Sequence, residues 1–269
     1  MKRLLLTILL LIPYFLLAQT ENTEPVINTD RPGASDASRT VPKGYLHIES
    51  GFLFSVESIN PSQEQQLINF NNTLIRYGLL KGLELRLNQS ILSSRILENG
   101  QEIGVGWQSG LAPLMLGLKV NLTDENGLLP ETALVAEVNL PKGNGNFQQE
   151  NFIYRFNLTA LNHLNPDWLL IYNLGIFQSF ADESTQFNYT LRSSYTFDKY
   201  TPFLEFYGNR SKNTTPLNYI NGGISYLVNN QFQLDAYAGI DIVSLYNEAL
   251  EYNQSFVSVG LGYMFPIKK

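Results

Sequence analysis

Ser255-Phe-Val-Ser-Val-Gly-Leu-Gly-Tyr-Met-Phe265 carries Val257, Val259, Leu261, Tyr263 and Phe265 on alternate positions, with Ser258, Gly260, Gly262 and Met264 between them. Successive side chains of a β-strand point to opposite faces, so this stretch has one apolar face and one small or polar face. The same alternation runs back through the chain as far as Gly44. Leu83, Leu85, Leu87 and Ile91 share a phase, as do Leu114, Leu116, Leu118, Val120 and Leu122, and Leu134, Ala136, Val138 and Leu140. Such two-faced segments, each about ten residues long and about a dozen in number, predict an all-β fold whose outside meets lipid. The expectation is an antiparallel up-and-down transmembrane β-barrel of about 12 strands.

The connections support that reading. Tight turns are expected at Lys81-Gly82, Asn165-Pro-Asp167, Asp198-Lys199 and Asn229-Asn230. Longer polar loops are expected at 60–66, 92–110, 141–146, 181–185, 209–216 and 246–253. Short turns at one rim and long loops at the other are the outer-membrane pattern, with both termini in the periplasm. Aromatic residues fall near strand ends: Tyr77, Trp168, Phe197, Tyr226, Tyr263 and Phe265 at the turn side, and Phe54, Phe152, Tyr154 and Phe187 opposite. Two such girdles bracket the apolar band of membrane barrels.

Composition narrows the compartment. The chain is 44% hydrophobic and 16% charged, and nothing after residue 18 approaches the roughly 20 apolar residues of a helical span. Met1-Lys2-Arg3, the apolar run Leu4–Leu17 and the small residue Ala18 form a secretory signal peptide over 1–18, cut near Ala18-Gln19. Residues 19–43 contain Pro25, Pro32 and Pro42 and no Leu, and predict an irregular segment before the barrel at 44–269. The absence of cysteine excludes disulfides, thiolate metal sites and a lipoprotein anchor. A net charge of -6 without a basic block gives nucleic acid no footprint. The expected location is the outer membrane of a Gram-negative bacterium.

The second phase of each strand lines the lumen. It holds the acids Glu49, Glu84, Glu137, Glu205, Asp235 and Asp241, and the bases Arg76, Arg86, Lys119, Arg155 and Arg192. Near-balance of sign argues against a strongly ion-selective pore. These groups read either as ion pairs that fill the interior or as a path for substrate. Eight strands leave an interior that side chains fill and 16 to 18 leave an aqueous channel, so about twelve predicts a narrow lumen. Gly260 and Gly262, among other small lumen residues, are expected to leave room there. His47 points inward beside Glu49, and His163 sits near a turn. Neither has companions at a spacing that implies catalysis or a metal site, so no enzyme, metal or cofactor is expected.

One segment is more specific. Thr29-Asp30-Arg31-Pro32, Thr40-Val41-Pro42-Lys43-Gly44, Glu49 and Gly51-Phe52, with Asn221-Gly-Gly-Ile-Ser-Tyr226, Gln233-Leu-Asp235 and Gly239, resemble an outer-membrane transporter family. That family is labelled "putative MetA-pathway of phenol degradation" and is common in Bacteroidota. In its pattern an acidic residue follows Arg-Pro, where this chain has Gly33, and Gln is frequent at the place of His47. The resemblance covers the mature chain and implies passive transport of a small aromatic or hydrophobic molecule. The other readings are a structural or adhesive barrel that transports nothing, or an outer-membrane lipid-modifying enzyme. Expected partners are outer-membrane lipid, a small-molecule substrate and the barrel-assembly machinery, the last through Tyr263 and Phe265. Asp30, Arg31 and Pro32 enter at the periplasmic mouth, where residues 29–43 are expected either to tuck into the lumen against strand charges or to trail as a disordered leader.

Overall fold

The computed structural model describes residues 24–179, 181, 184–212, 214–242 and 253–267. The expected signal peptide at 1–18 lies outside them, as does most of the loop expected at 246–253. Among the described residues, fifteen strands form one sheet. They are β1 (Tyr45–Asn60), β2 (Gln63–Asn69), β3 (Thr73–Leu80), β4 (Leu83–Gln89), β5 (Ile91–Glu98), β6 (Gln101–Leu111), β7 (Met115–Thr123) and β8 (Glu131–Asn139). Then follow β9 (Ile153–Asn165), β10 (Trp168–Ser179), β11 (Ser184–Tyr195), β12 (Tyr200–Ser211), β13 (Leu217–Asn229), β14 (Phe232–Asp241) and β15 (Gln254–Pro266).

Three pairs of these strands each make one interrupted stave. β2 and β3 both pair with β1, at Leu53↔Asn69 and Glu49↔Leu74. β4 and β5 continue one another beside them, and β6 and β7 do so in the next place. Every pairing is antiparallel, and β15 returns to β1 from Tyr45↔Pro266 to Glu57↔Gln254. The result is a closed barrel of twelve staves, so no edge is left unpaired in lipid.

The alternation of the sequence is the alternation of the wall. Leu174 is 67% exposed, Leu204 58% and Val259 56%, while their strand neighbours Asn173, Glu205 and Ser258 are buried. A water-soluble protein does not expose apolar surface on this scale; hydrocarbon removes the penalty. At the turn rim, ring contacts link Trp168 with Tyr195, Phe197 with Tyr200, Tyr200 with Tyr226, Phe232 with Tyr263, and Tyr263 with Phe265.

Two expected loops are strand instead. The polar stretch 60–66 is mostly the ladder of β1 and β2, turned at Pro61-Ser62. The long connection expected at 92–110 is the β5–β6 hairpin. Its Asn99-Gly100 turn has positive φ at both residues, 51° and 77°, which matches the twist of a two-residue hairpin. Beyond the lipid band a strand needs no apolar face, so polar residues there pair in a ladder without showing the expected alternation. Glycines at 104 and 106 mark a bulge, where the register passes from Ser94↔Gln108 to Ile96↔Ile103. Arg95 stacks 4.7 Å from the Trp107 ring centroid beside it and pairs with Glu102 at 3.2 Å. A first pair of substitutions tests the lipid band. Leu174→Arg should destabilise the barrel by about 2–4 kcal/mol in lipid-vesicle unfolding, and Ile59→Arg, near the outer end of β1, by about 0–1 kcal/mol.

Candidate functional site: a plugged lumen

Residues 24–44 form no regular element, and from Ile27 onward the segment is held inside the barrel. The segment enters at the rim of short turns, where Ile27 N donates to Asn230 O at 2.7 Å, and leaves there, where Gly44 N donates to Gly78 O at 2.8 Å. Ile27, Val41 and Met264 make a small apolar cluster between the two arms. Between them the chain rises into the lumen and turns over residues 32–36.

Asp30 is the hub. Its carboxylate accepts from Lys119 Nζ at 2.9 Å, Arg86 Nη1 at 2.7 Å and Ala37 N at 2.9 Å, with Arg76 Nη1 at 3.6 Å. The backbone N–H groups of Asp30 and Arg31 donate to the two oxygens of Glu49, at 3.1 and 2.9 Å. Arg31 then reaches along the neighbouring wall past β15 to β14, where it grips Asp235 through Nη2 at 2.8 Å and Nε at 3.2 Å, and it meets Ser258 Oγ on β15 at 3.1 Å. Its guanidinium lies flat over the cross-strand pair Gly51↔Gly260. A Cβ at either position would sit 2.3 Å from it, so only glycine leaves the space.

The turn of the plug is fastened in the same way. Pro32 O accepts from Arg192 Nη1. Ala34 N and Ser35 N donate to the two oxygens of Glu205 at 2.7 and 2.9 Å. Asp36 takes Arg155 and Asn157 on one carboxylate oxygen, and its N–H donates to Asn173 Oδ1 at 2.8 Å. On the way out Ser38 Oγ donates to Glu131 and Val41 N to Glu84, both at 2.8 Å.

The wall groups also pair with one another. Arg76 bridges Glu49 and Glu84, each at 2.9 Å. Arg86 bridges Glu84 at 2.8 Å and Glu137 at 2.7 Å, and Arg155 joins Glu137. Four cations (Arg76, Arg86, Lys119, Arg155) thus face three wall carboxylates (Glu49, Glu84, Glu137), and the plug supplies Asp30 and Asp36. Burial alone would push the Asp30 carboxyl up, but the charges of Arg76, Lys119 and Arg86 hold it well below the usual carboxylate range. Asp36 is likewise lowered, its burial outweighed chiefly by Arg155.

Of the lumen residues read from the sequence, Glu49, Arg76, Glu84, Arg86, Lys119, Glu137, Arg155, Arg192, Glu205 and Asp235 all meet the plug or its ion-pair network. Asp241 does not; it accepts from Gln254 N at 2.6 Å at the outer end of the barrel. His47 is fully buried, 3.8 Å from Glu49, and neither ring nitrogen has a hydrogen-bond partner among the described residues. His163 pairs with Glu125 in the turn between β7 and β8. Gly260 and Gly262 do not leave open space, because Arg31 and Thr29 lie over them. Among the described residues no cluster of three or more His, Cys, Asp or Glu could hold a metal ion.

Space remains above the turn of the plug. A cavity of about 210 Å³ is bounded by Gly33 and Ala34 and walled by Leu53, Leu67, Tyr207, Tyr237 and Phe256. Ser55, Asn221 and Gln254 add polar groups. Tyr237 and Phe256 meet edge to face at 5.9 Å, and Tyr207 stacks on Tyr219 at 4.9 Å. Farther out a second space of about 430 Å³ lies between the β5–β6 hairpin and the inward-folded loop that carries Asn146 and Phe147. The aromatic wall escaped the sequence reading, although Phe203, Glu205 and Tyr207 share one phase and the acid had already marked that phase as inward. Asp36, Ser38 and Glu131 also went unmarked.

Two tests address the plug. Asp30→Ala leaves Lys119 and Arg86 buried without their shared partner, and should cost about 3–5 kcal/mol of stability while raising single-channel conductance. The pH dependence follows from the lowered carboxyl. Asp30 favours the seated plug fully above its ordinary value of 3.8 and loses that contribution only as pH falls through the lower, seated value. The stability that the unaltered protein holds over Asp30→Ala should therefore stay constant from neutral pH down to 3.8 and shrink only below it, read from unfolding of the two proteins across that range.

The comparisons with known proteins agree with this architecture. An outer-membrane channel of Pseudomonas putida F1 superposes with a TM-score of 0.63 at 14% identity, over 87% of this chain and 100% of that one. The translocator domain of the autotransporter NalP of Neisseria meningitidis gives 0.54 at 11% identity, over 82% and 88%. The β domain of the Bordetella autotransporter BrkA gives 0.52 at 10% identity, over 81% and 98%. At these identities the likeness is one of fold. No curated protein matches the sequence. The family model described as "Putative MetA-pathway of phenol degradation" matches residues 29–244, beginning at the plug and running through β14, and the chain belongs to that family.

Proposed function

We propose that this protein is an outer-membrane channel that passes a small aromatic or otherwise hydrophobic molecule by passive diffusion, with residues 29–43 setting the bore. The observation that carries this reading is the cavity against the plug. The lumen is charged and filled at the turn rim, yet the space left above Gly33 and Ala34 is walled largely by aromatic and aliphatic side chains. Small-molecule sites are concave and mostly apolar with a few fixed polar groups. A cavity of about 150 Å³ is enough for benzene, so 210 Å³ suits one ring with a short substituent and excludes a disaccharide.

The family's name, with its phenol degradation, and the Pseudomonas putida protein's description as an outer-membrane channel accord with this reading. In it the short-turn rim faces the periplasm. Both ends of the barrel sequence meet at that rim, where Ile267 N donates to Gly44 O at 2.8 Å. Tyr263, 44% exposed on the outer wall beside Phe265, is the proposed handle for the assembly machinery. The substrate path runs through the cavity above Gly33 and Ala34, because below it the plug occupies Glu205 and Asp235 as well as the cluster around Arg76 and Lys119. No catalytic step is assigned.

Outer-membrane vesicles that retain lipopolysaccharide test the proposal. Vesicles carrying the protein should take up radiolabelled toluene several-fold faster than vesicles without it, and sucrose no faster. Equal toluene rates in the two preparations would overturn it.

A further inference from the structure

The three interrupted staves lie side by side, and their breaks form a line across the wall. Between the pairs Leu53↔Asn69 and Glu49↔Leu74, four residues (70–73) stand against three of β1. Between Ile91↔Leu111 and Asn88↔Met115, three residues (112–114) stand against two. Extra residues of this kind bulge a strand and re-aim its side chains. Pro113 also has no N–H to give to the ladder.

The breaks put polar groups on the lipid face at mid-height. Ser50 shares the outward phase of Ile48 and Phe52, midway between the pairs Leu46↔Phe265 and Phe54↔Val257. Thr73 shares that of Ile75 and Tyr77. Asn71 joins them, its Oδ1 accepting from Ser50 Oγ at 2.6 Å and from Thr73 Oγ1. Gln89, the cross-strand partner of Thr73, faces outward with Leu85 and Leu87. Its Nε2 donates to Ala112 O at 2.7 Å and to Ser90 O at 3.3 Å. On the far side of the barrel the outward phase is apolar, as at Leu174 and Leu204.

Each amide keeps one end over. Asn71 Oδ1 has two hydroxyl donors, while its Nδ2 has no partner among the described residues. Gln89 meets two carbonyl oxygens, which fixes its Nε2 there and leaves Oε1 over as an acceptor. Both residues are half-buried, and neither free end is sealed inside the wall. Hydrocarbon has no group to offer them, and a polar group left unpaired there is costly.

The two free ends are opposite in kind, a donor on one stave and an acceptor on the next. Copies of a membrane barrel insert in one orientation, so two of them meet about an axis along the membrane normal. A two-fold rotation about that axis keeps depth and exchanges left for right. Asn71 Nδ2 of one copy then faces Gln89 Oε1 of the other, and the same contact repeats in reverse. A lipid chain carries no acceptor at this depth, and an unrelated barrel would have to match both groups by chance. We propose that this face is the interface of a homodimer in the membrane, built on reciprocal hydrogen bonds between Asn71 and Gln89. Exposed Phe52, Phe70, Ile91 and Leu111 surround the polar pair and supply its apolar rim. The dimer covers the stretch of wall where the ladder is broken. It goes beyond the channel reading and does not depend on it, since each barrel keeps its own plug and cavity.

The test uses the full mature protein as two co-expressed copies with different affinity tags, extracted from outer membranes into polymer nanodiscs that retain native lipid. Capture of one tag should bring the other with it. The chain has no cysteine, so added ones locate the contact. With Phe70→Cys in one copy and Ile91→Cys in the other, oxidation by copper-phenanthroline should give a disulfide-linked dimer. Phe70→Cys against Leu191→Cys, which lies on β11 at the opposite side of the barrel, should give none. Asn71→Leu, checked for folding by heat-modifiable gel migration, should cut co-capture about five- to tenfold, as loss of two hydrogen bonds within a membrane implies. Failure of the unaltered copies to co-capture would overturn the proposal, as would equal cross-linking of the two cysteine pairs or full co-capture by folded Asn71→Leu. The first two measurements each decide without the Asn71 variant.

Discussion

The contact on which the rest of this structure depends is the Asp30 carboxylate set between Lys119, Arg86 and Arg76. It exists because lipid reverses the usual economy of a sheet. With hydrocarbon outside, apolar side chains turn outward and the polar phase of every strand is gathered into the lumen. Twelve staves enclose more room than side chains fill, yet less than an open aqueous pore has. Charged groups in such a space must be paired or hydrated. The wall pairs most of its own charges, with four cations against three carboxylates around Arg76, and the two acids of the plug complete the set.

A buried ionic network of this kind is weak evidence for great stability, since desolvation offsets much of the attraction. What it supplies is register. Asp30 can satisfy Lys119, Arg86 and Ala37 N together only at one height, and Arg31 can then reach Asp235 only across the floor made by Gly51 and Gly260. Glu205 fixes the turn of the plug at the next level. The cavity is what this fit leaves over, and it is walled by the inward aromatic side chains of β12, β14 and β15. The plug and the cavity are therefore one construction, because moving Gly33 or Ala34 would change the cavity's floor.

Much of this was legible in the residues, for identifiable reasons. The alternation at 255–265 and the turn at Lys81-Gly82 follow from local geometry, and each reads correctly in isolation. The inward assignments of Glu49, Arg76, Lys119 and Asp235 follow from phase alone. The β5–β6 hairpin was misjudged because alternation reports the surroundings of a strand rather than its presence. Outside the lipid band both faces meet water, and Gln101-Glu102 or Gln63–Gln66 then look like loop. Phase also offered the aromatic wall, since Tyr207 lies two residues from Glu205, but nothing in one strand says that Tyr207, Tyr237 and Phe256 come together.

By itself the sequence determined which way each side chain faces and that the segments close on themselves, because strand period and solvent preference are local properties. It also singled out Thr29-Asp-Arg-Pro32 as a specific motif, while leaving open whether that segment enters the lumen or trails as a leader. Tertiary structure alone decided what that segment does. Its partners, Glu49, Lys119, Glu205 and Asp235, are scattered from 18 to more than 200 residues along the chain, and only barrel closure brings them around one axis. Three-dimensional structure likewise left Asn221 with its Nδ2 bonded to Glu205 and its Oδ1 buried without a hydrogen-bond partner among the described residues. Which amide atom is left unpaired depends on neighbours across two strand pairings and on the plug, and no spacing in the sequence encodes it.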